Sequence, residues 1–90
     1  MYRDFSHENK KCGVRPGYRL FKLTDSEANE INCRERCGKH LQCVAMSGIW
    51  GNWCIGCKVA LSEDHMGAKA FKRGGKKSCT YNIEYIRKFE

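Results

Sequence analysis

Seven cysteines are the residues best able to do chemistry in this chain: Cys12, Cys33, Cys37, Cys43, Cys54, Cys57 and Cys79. Thiols can bridge one another, bind a metal or attack a substrate. Cys54-x2-Cys57 has the spacing of a zinc knuckle, and Cys33, Cys37, His40 or His65 would complete four ligands. With a net charge of +7, that would suggest a zinc-dependent nucleic-acid binder. Zinc ribbons use two such knuckles, however, and a four-ligand site here would strand three cysteines. Attack on a substrate has even less support. No Gly-x-Ser-x-Gly, phosphate loop or His-Glu-x-x-His occurs. Glu63-Asp64-His65 lacks the alternating oxygen ligands of a calcium loop and reads as solvated loop. The chain is therefore expected to be no enzyme, to hold no metal and to need no cofactor. Bridging remains. A cysteine content of ~8% is the level of a short disulfide scaffold.

Two further groups could contact a ligand. Trp50 and Trp53 flank Gly51-Asn52. Exposed indoles at a turn can stack on a sugar or anchor in a partner, whereas a cross-strand aromatic pair would only stabilise a hairpin. Lys69, Lys72, Arg73, Lys76 and Lys77 lie in one stretch without an acid. Such a stretch attracts polyanions, or it protects an exposed sheet edge from association.

These residues must be positioned by a small fold. With 90 residues, a single domain is expected. No apolar run reaches the roughly 20 residues of a membrane helix. Residues 1–11 read as an irregular lead-in without the apolar core of a leader peptide, which suggests a processed product or one module of a longer protein. Residues 12–79 form the expected domain, and 80–90 a C-terminal strand and tail. Pro16-Gly17 marks a turn before a strand over 17–23. Asn29 can cap a helix over Glu30–Lys39, in which Glu30–Arg34 and Glu35–Lys39 are favourable i,i+4 pairs. Cys33 and Cys37 then share one helix face. Strands are expected over 43–50 and 53–61 with Gly51-Asn52 as a two-residue turn, and over 68–73 and 79–85. Residues 62–67 read as a loop.

Helix, Cys43, hairpin and Cys57 follow in an order that resembles the PAN/apple domain family, which includes the N-terminal modules of plasminogen and hepatocyte growth factor. The similar pieces are GYRLFKL, the helix with Cys33 and Cys37, CVAMS, the Cys57-Lys58 strand and GAKAFKR. Met46 stands where the family usually has an aromatic residue. The resemblance implies a small disulfide-rich α+β fold with one helix packed across an antiparallel sheet. It also implies bonds Cys33–Cys57, Cys37–Cys43 and Cys12–Cys79, with Cys54 left as a free thiol. Geometry divides on the last point. With a two-residue turn, Cys57 lies ~10 Å along the sheet from Cys43 and Cys54 ~20 Å, which favours Cys57. Period-2 alternation instead places Cys54 on the face of Cys43, unless a bulge at Gly56 intervenes. Cys57 is taken as the bonded residue.

By the same resemblance the domain is a non-catalytic recognition module, secreted, on the cell surface or in an oxidising lumen. Its expected partner is a protein or a carbohydrate, with sulfated glycan the leading polyanion because the growth-factor member binds heparin. No motif in the basic stretch matches that member position by position. The alternative is a structural accessory subunit of a larger assembly, with the lead-in and the tail as docking arms. A nucleic-acid partner is not expected.

Overall fold

The centre of the fold is a hairpin of β4 (Ala45–Ile49) and β5 (Trp53–Cys57), seen in a computed structural model that describes residues 1–74. The strand expected over 79–85, and Cys79 itself, lie outside these residues. β3 (Arg19–Thr24) pairs with β5, β7 (Lys69–Lys72) with β4, and β1 (Tyr2–Arg3) with β7. The result is a five-stranded antiparallel sheet in the order β1-β7-β4-β5-β3. A helix, α1 (Glu30–Lys39), packs on one face, so the α+β arrangement is as expected. Arg15 to Tyr18 forms the anticipated turn: Tyr18 N donates to Arg15 O at 3.1 Å and Gly17 sits at φ +84°. Pro and Gly in its two central places match a type II turn.

The lead-in is more ordered than its sequence suggests. Besides β1, residues 1–11 contain a 3-10 turn (Phe5–His7) and β2 (Lys10–Lys11), which pairs with β6 (Glu63–Asp64) inside the expected loop. Strands of two residues have no periodicity to detect. Their order comes from distant carbonyls: Asp4 N donates to Ala70 O and Asn9 N to Ala68 O, both at 2.8 Å. Ser47, fully buried in β4, donates to Lys10 O at 2.7 Å and holds β2 over the sheet.

The disulfides differ from the expected set in two of three bonds. Cys37–Cys43 is present, but Cys33 bonds Cys54 and Cys12 bonds Cys57. Cys54 is therefore no free thiol, and Cys12 is not joined to Cys79. The cause is register. Ile49 pairs with Trp53, so the hairpin loop has three residues, Trp50 to Asn52, rather than two. Gly51 takes φ +85° in that loop and Asn52 N donates to Ile49 O at 3.0 Å. The extra loop residue brings Cys54 opposite Gly48 and Cys57 opposite Ala45. Cys54 then lies about 17 Å along the sheet from Cys43. One helical turn of about 6 Å, with Cα separations of 6.5 and 5.3 Å across the two bridges, covers that distance. Alternation counted from Cys43 would in this register favour Cys57, opposite Ala45. It gives no guide, because Cys43 precedes β4 and packs with Met46 and Cys54 rather than with Ala45. Cys54 joins the core on the helix side, and Cys57 joins the core on the other face.

Both faces of the central strands are covered, which is why CVAMSGIW reads as a nearly continuous apolar run. On the helix side Leu23, Ala28, Met46 and Phe71 pack with four of the cysteines. Opposite them lie Ala45, Ile55, Leu61 and Ala70 around Cys12–Cys57. Gly48 has no room for a side chain: a Cβ there would lie 2.6 Å from Cys54 Cβ and 2.8 Å from Trp53 O. The helix begins where expected, with Asn32 N donating to Asn29 Oδ1 at 2.8 Å. Glu30–Arg34 and Glu35–Lys39 make the anticipated i,i+4 contacts at 3.0 and 3.7 Å. Only Cys33 and Cys37 of α1 are buried, while Ile31 is 79% exposed.

Two predictions follow from this arrangement. Replacing Cys33 and Cys54 together by alanine should lower stability by about 2–4 kcal/mol, and by more than the Cys37/Cys43 pair, because the longer closed loop restricts the unfolded chain more. Melts of both double variants test this, and peptide mapping without reduction should recover Cys33 linked to Cys54. The second concerns Asp4, which is buried beside His7 Nδ1 and Ser6 Oγ, both 2.7 Å from its carboxylate. Burial would raise the Asp4 carboxyl, but hydrogen bonds from Ser6 and His7 and the charges of His7 and Lys72 outweigh it and hold it below its ordinary value. The resulting stability is fully present above the unfolded carboxyl value of about 3.9 and is lost as pH falls through the lower folded value. Asp4→Asn should therefore be less stable than the parent at neutral pH and should lose less between about pH 4 and pH 2. Melting temperatures across that range provide the measurement.

Candidate functional site

Strict alternation along RLFKLT would put Arg19 and Lys22 on opposite faces of β3. They share a face because β3 has an irregular register between Arg19, opposite Cys57, and Phe21, opposite Gly56, which leaves Leu20 as an extra residue. Lys22 then lies opposite Ile55, two residues from Cys57 and on the same side of the sheet. Leu20 and Phe21 pack toward the helix-side core. The bulge thus lies in β3 and not at Gly56, which pairs regularly with Met46. Gly56 still matters, because a Cβ there would overlap the Phe21 ring.

On the face away from the helix, Lys11, Arg19, Lys22, Trp53, Ile55 and His65 line an open cavity of about 200 Å³. Ile55 is buried, and Trp53 meets His65 edge to face with ring centres 5.0 Å apart. Arg19 is oriented by the segment that follows β2: Nη2 donates to Cys12 O at 2.9 Å. Its Nε is buried without a hydrogen-bond partner among the described residues. Nor do Lys11, Arg19 or Lys22 pair with any described carboxylate, whereas Lys10 pairs with Asp64 at 2.6 Å and Lys69 with Glu8 at 3.7 Å. Three cations beside an indole form a site suited to an anionic ligand.

The expected ligand residues are dispersed. Trp50 turns to the helix side and packs on Phe71, with ring centres 6.0 Å apart, while Trp53 faces the cavity. They form neither a stacked pair nor one surface. Lys69 aligns with Gly48 and Lys72 with Ala45, positions on opposite faces of the sheet. Arg73 folds back on the helix end, where Nη2 donates to Cys37 O at 2.8 Å and His40 O at 3.2 Å, and Nε to Cys43 O at 2.8 Å. Cys37 O and His40 O also accept from His40 N and Cys43 N, so Arg73 adds a second bond to each and links the helix end to Cys43. Lys76 and Lys77 lie outside the described residues. Of the cavity, the sequence reading singled out Trp53 as a ligand contact and weighed His65 only as a zinc or cation ligand. Lys11, Arg19 and Lys22 were missed, and His65 was not placed beside them, because a bulge and a two-residue strand gather them.

Other constellations resolve as structure. Cys33, Cys37, Cys54 and Cys57 are all consumed in disulfides and leave no thiolates for zinc, and Cys54 and Cys57 belong to opposite faces. Ser6, His7 and Asp4 meet in the lead-in, but Ser6 donates to Asp4 and the same His7 nitrogen faces both residues. This closes a turn and gives no nucleophile–base relay. Comparison with protein families, with curated proteins and with solved structures finds no match to this chain.

Replacing Arg73 by glutamine removes charge-assisted bonds to three carbonyls while leaving the groove untouched. It should cost about 1–2 kcal/mol of stability. Thermal melts measure the loss, and hydrogen exchange should show it concentrated at the C-terminal turn of α1 and around Cys43.

Proposed function

We propose that this domain is a non-catalytic recognition module of extracellular type, of PAN/apple architecture, that binds acidic groups on carbohydrate or protein. The observation that carries the reading is the groove, in which Lys11, Arg19 and Lys22 converge on Trp53 and pair with no described carboxylate. Like charges held together cost stability, so their gathering in one concavity suits a bound anion, although Glu63 stands opposite Lys11 in the β2–β6 ladder. A helix fastened to an antiparallel sheet by two disulfides is the arrangement that the resemblance implies, although Cys33 bonds Cys54 rather than Cys57. Three disulfides suggest an oxidising compartment. Among the described residues no helix is long and apolar enough to cross a membrane. A second reading, an accessory subunit of a larger assembly, draws on Ile31 and Leu41, which are 79% and 94% exposed near the two ends of the helix.

Immobilised heparin, used as a dense polyanion, tests the first reading. The parent should be retained and should elute as salt rises, since charges are screened within about 8 Å at physiological ionic strength. Lys11→Glu with Lys22→Glu should elute far earlier, and Lys69→Glu with Lys72→Glu only slightly earlier. Lack of retention of the parent, or equal elution of all three proteins, would overturn the groove as the binding site. Concentration-dependent self-association or a stoichiometric protein partner, abolished by Ile31→Glu with Leu41→Glu, would instead establish the accessory-subunit reading.

A further inference from the structure

The outer edge of β3 carries hydrogen-bonding groups that the fold does not use. β3 ends the strand order, so no described strand pairs with its far side. We infer that this edge joins the same edge of a second copy of the chain, antiparallel about a two-fold axis at Leu23, so that a dimer forms with one continuous sheet. The inference goes beyond the recognition reading and does not depend on it.

Backbone bonding favours this pairing. Lys58 N donates to Tyr18 O at 2.8 Å and Asp25 N to Asn52 O at 3.0 Å, at the two ends of the β3–β5 ladder. Inward-bonded and outward-facing residues alternate along an antiparallel strand. Leu23, opposite Cys54, therefore bonds inward, while Lys22 and Thr24 turn their N–H and C=O groups outward. With the axis at Leu23, Lys22 of each copy lies opposite Thr24 of the other, and both pairs exchange backbone bonds in each direction. The irregular register between Arg19 and Phe21 lies outside Lys22–Thr24. A lysine on an edge commonly prevents association. In this register it meets a threonine hydroxyl and no like charge.

Charge sets the direction. Arg19 and Lys22 precede Leu23, and Asp25 and Glu27 follow it. Among the described residues none of these four side chains makes an ion pair. Antiparallel pairing about Leu23 brings the cations of each copy to the acids of the other, with Arg19 near the level of Glu27. Parallel pairing would set cations beside cations, which is unfavourable.

The helices leave room for the second copy. α1 packs over β4 and β5, and beside β3 lies a hollow of about 260 Å³ lined by Leu23, Glu27 and the helix residues Asn32, Glu35, Arg36 and Lys39. With strands about 4.8 Å apart, helices seated between β4 and β5 of two copies stand about 19 Å apart, beyond the roughly 10–12 Å diameter of a helix. The axis is perpendicular to the sheet, so the two basic grooves open on the same side.

Amide exchange and translational diffusion of the whole chain, followed by nuclear magnetic resonance from about 10 μM to about 1 mM, test the inference over a range suited to a small interface. Diffusion should slow to that of a dimer, and the Lys22 and Thr24 amides should become protected as concentration rises. The Leu23 amide should be protected throughout. Thr24→Lys places a lysine opposite Lys22 of the other copy on both sides of the axis and should weaken association about tenfold. Adding Lys22→Glu turns both contacts into ion pairs and should restore association. Both positions are exposed, so the variants should keep the parent's backbone spectrum, which separates lost association from lost folding. A monomer at every concentration would overturn the inference. So would protection of Lys22 and Thr24 that is independent of concentration, which marks an occupant from the same chain. Association that survives Thr24→Lys, that Lys22→Glu fails to restore, or that Ile31→Glu with Leu41→Glu abolishes overturns it as well. Heparin retention by a chain that stays monomeric would leave the recognition reading standing alone.

Discussion

The fastening of α1 is the constraint on which the rest of the fold depends. A ten-residue helix is marginal by itself in water, and EINCRERCGK has almost no apolar stripe with which to dock. Its one large aliphatic residue, Ile31, points to solvent, and only Cys33 and Cys37 are buried. Covalent bonds therefore stand where packing would ordinarily serve. One bridge leaves toward Cys54 near the hairpin tip and the other toward Cys43 at the entrance to β4. Two attachment points one helical turn apart remove both sliding and rotation. Gly51 N, donating to Ala28 O at 2.8 Å, and Arg73, donating to the carbonyls after the helix, close the two ends.

The fastening dictates what the sheet beneath can contain. A disulfide reaching down from the helix requires a close approach, which Gly48 permits opposite Cys54. Gly56 does the same for the Phe21 ring. Seating Phe21 against Gly56 accompanies the irregular register of β3, and that irregularity sets Arg19 and Lys22 on the far face. The third disulfide acts there. Cys12–Cys57 pins the N-terminal segment over the sheet, so neighbouring Lys11 joins the groove and Cys12 O orients Arg19. Packing on one face and covalent anchoring on the other thus assemble a single basic cavity.

Charge is distributed unevenly over this scaffold. The chain has a net charge of +7, and among the described residues five Lys and Arg side chains pair with a carboxylate. Lys10 contacts Asp64, Arg3 and Lys69 share Glu8, and Arg34 and Lys39 pair along the helix. Exposed pairs of this kind contribute little to stability, with a median of about 0–1 kcal/mol. Among the cations without such a pair, Lys11, Arg19 and Lys22 are brought together in one concavity. A field focused by a cleft acts on a ligand more strongly than the same charges spread over a surface.

Local pattern determined the elements. The capped helix over Glu30–Lys39, the turn at Pro16-Gly17 and the apolar runs of the four longer strands each depend on neighbours within a few residues, so the sequence alone was enough to identify them. Cysteine content likewise determined that disulfides would staple a small core. Pairing and site were decided only by tertiary structure. One added loop residue, Trp50, set the hairpin register and so chose Cys54 for Cys33. One extra residue in β3, Leu20, chose which basic residues share a face. Two-residue strands in the lead-in carried no signal and were held by carbonyls some sixty residues away. A register shift of one residue is nearly invisible to local propensity, yet it reverses every side chain beyond it. What selects it is close packing between distant segments, of Phe21 on Gly56 and of Cys54 and Trp50 around Gly48.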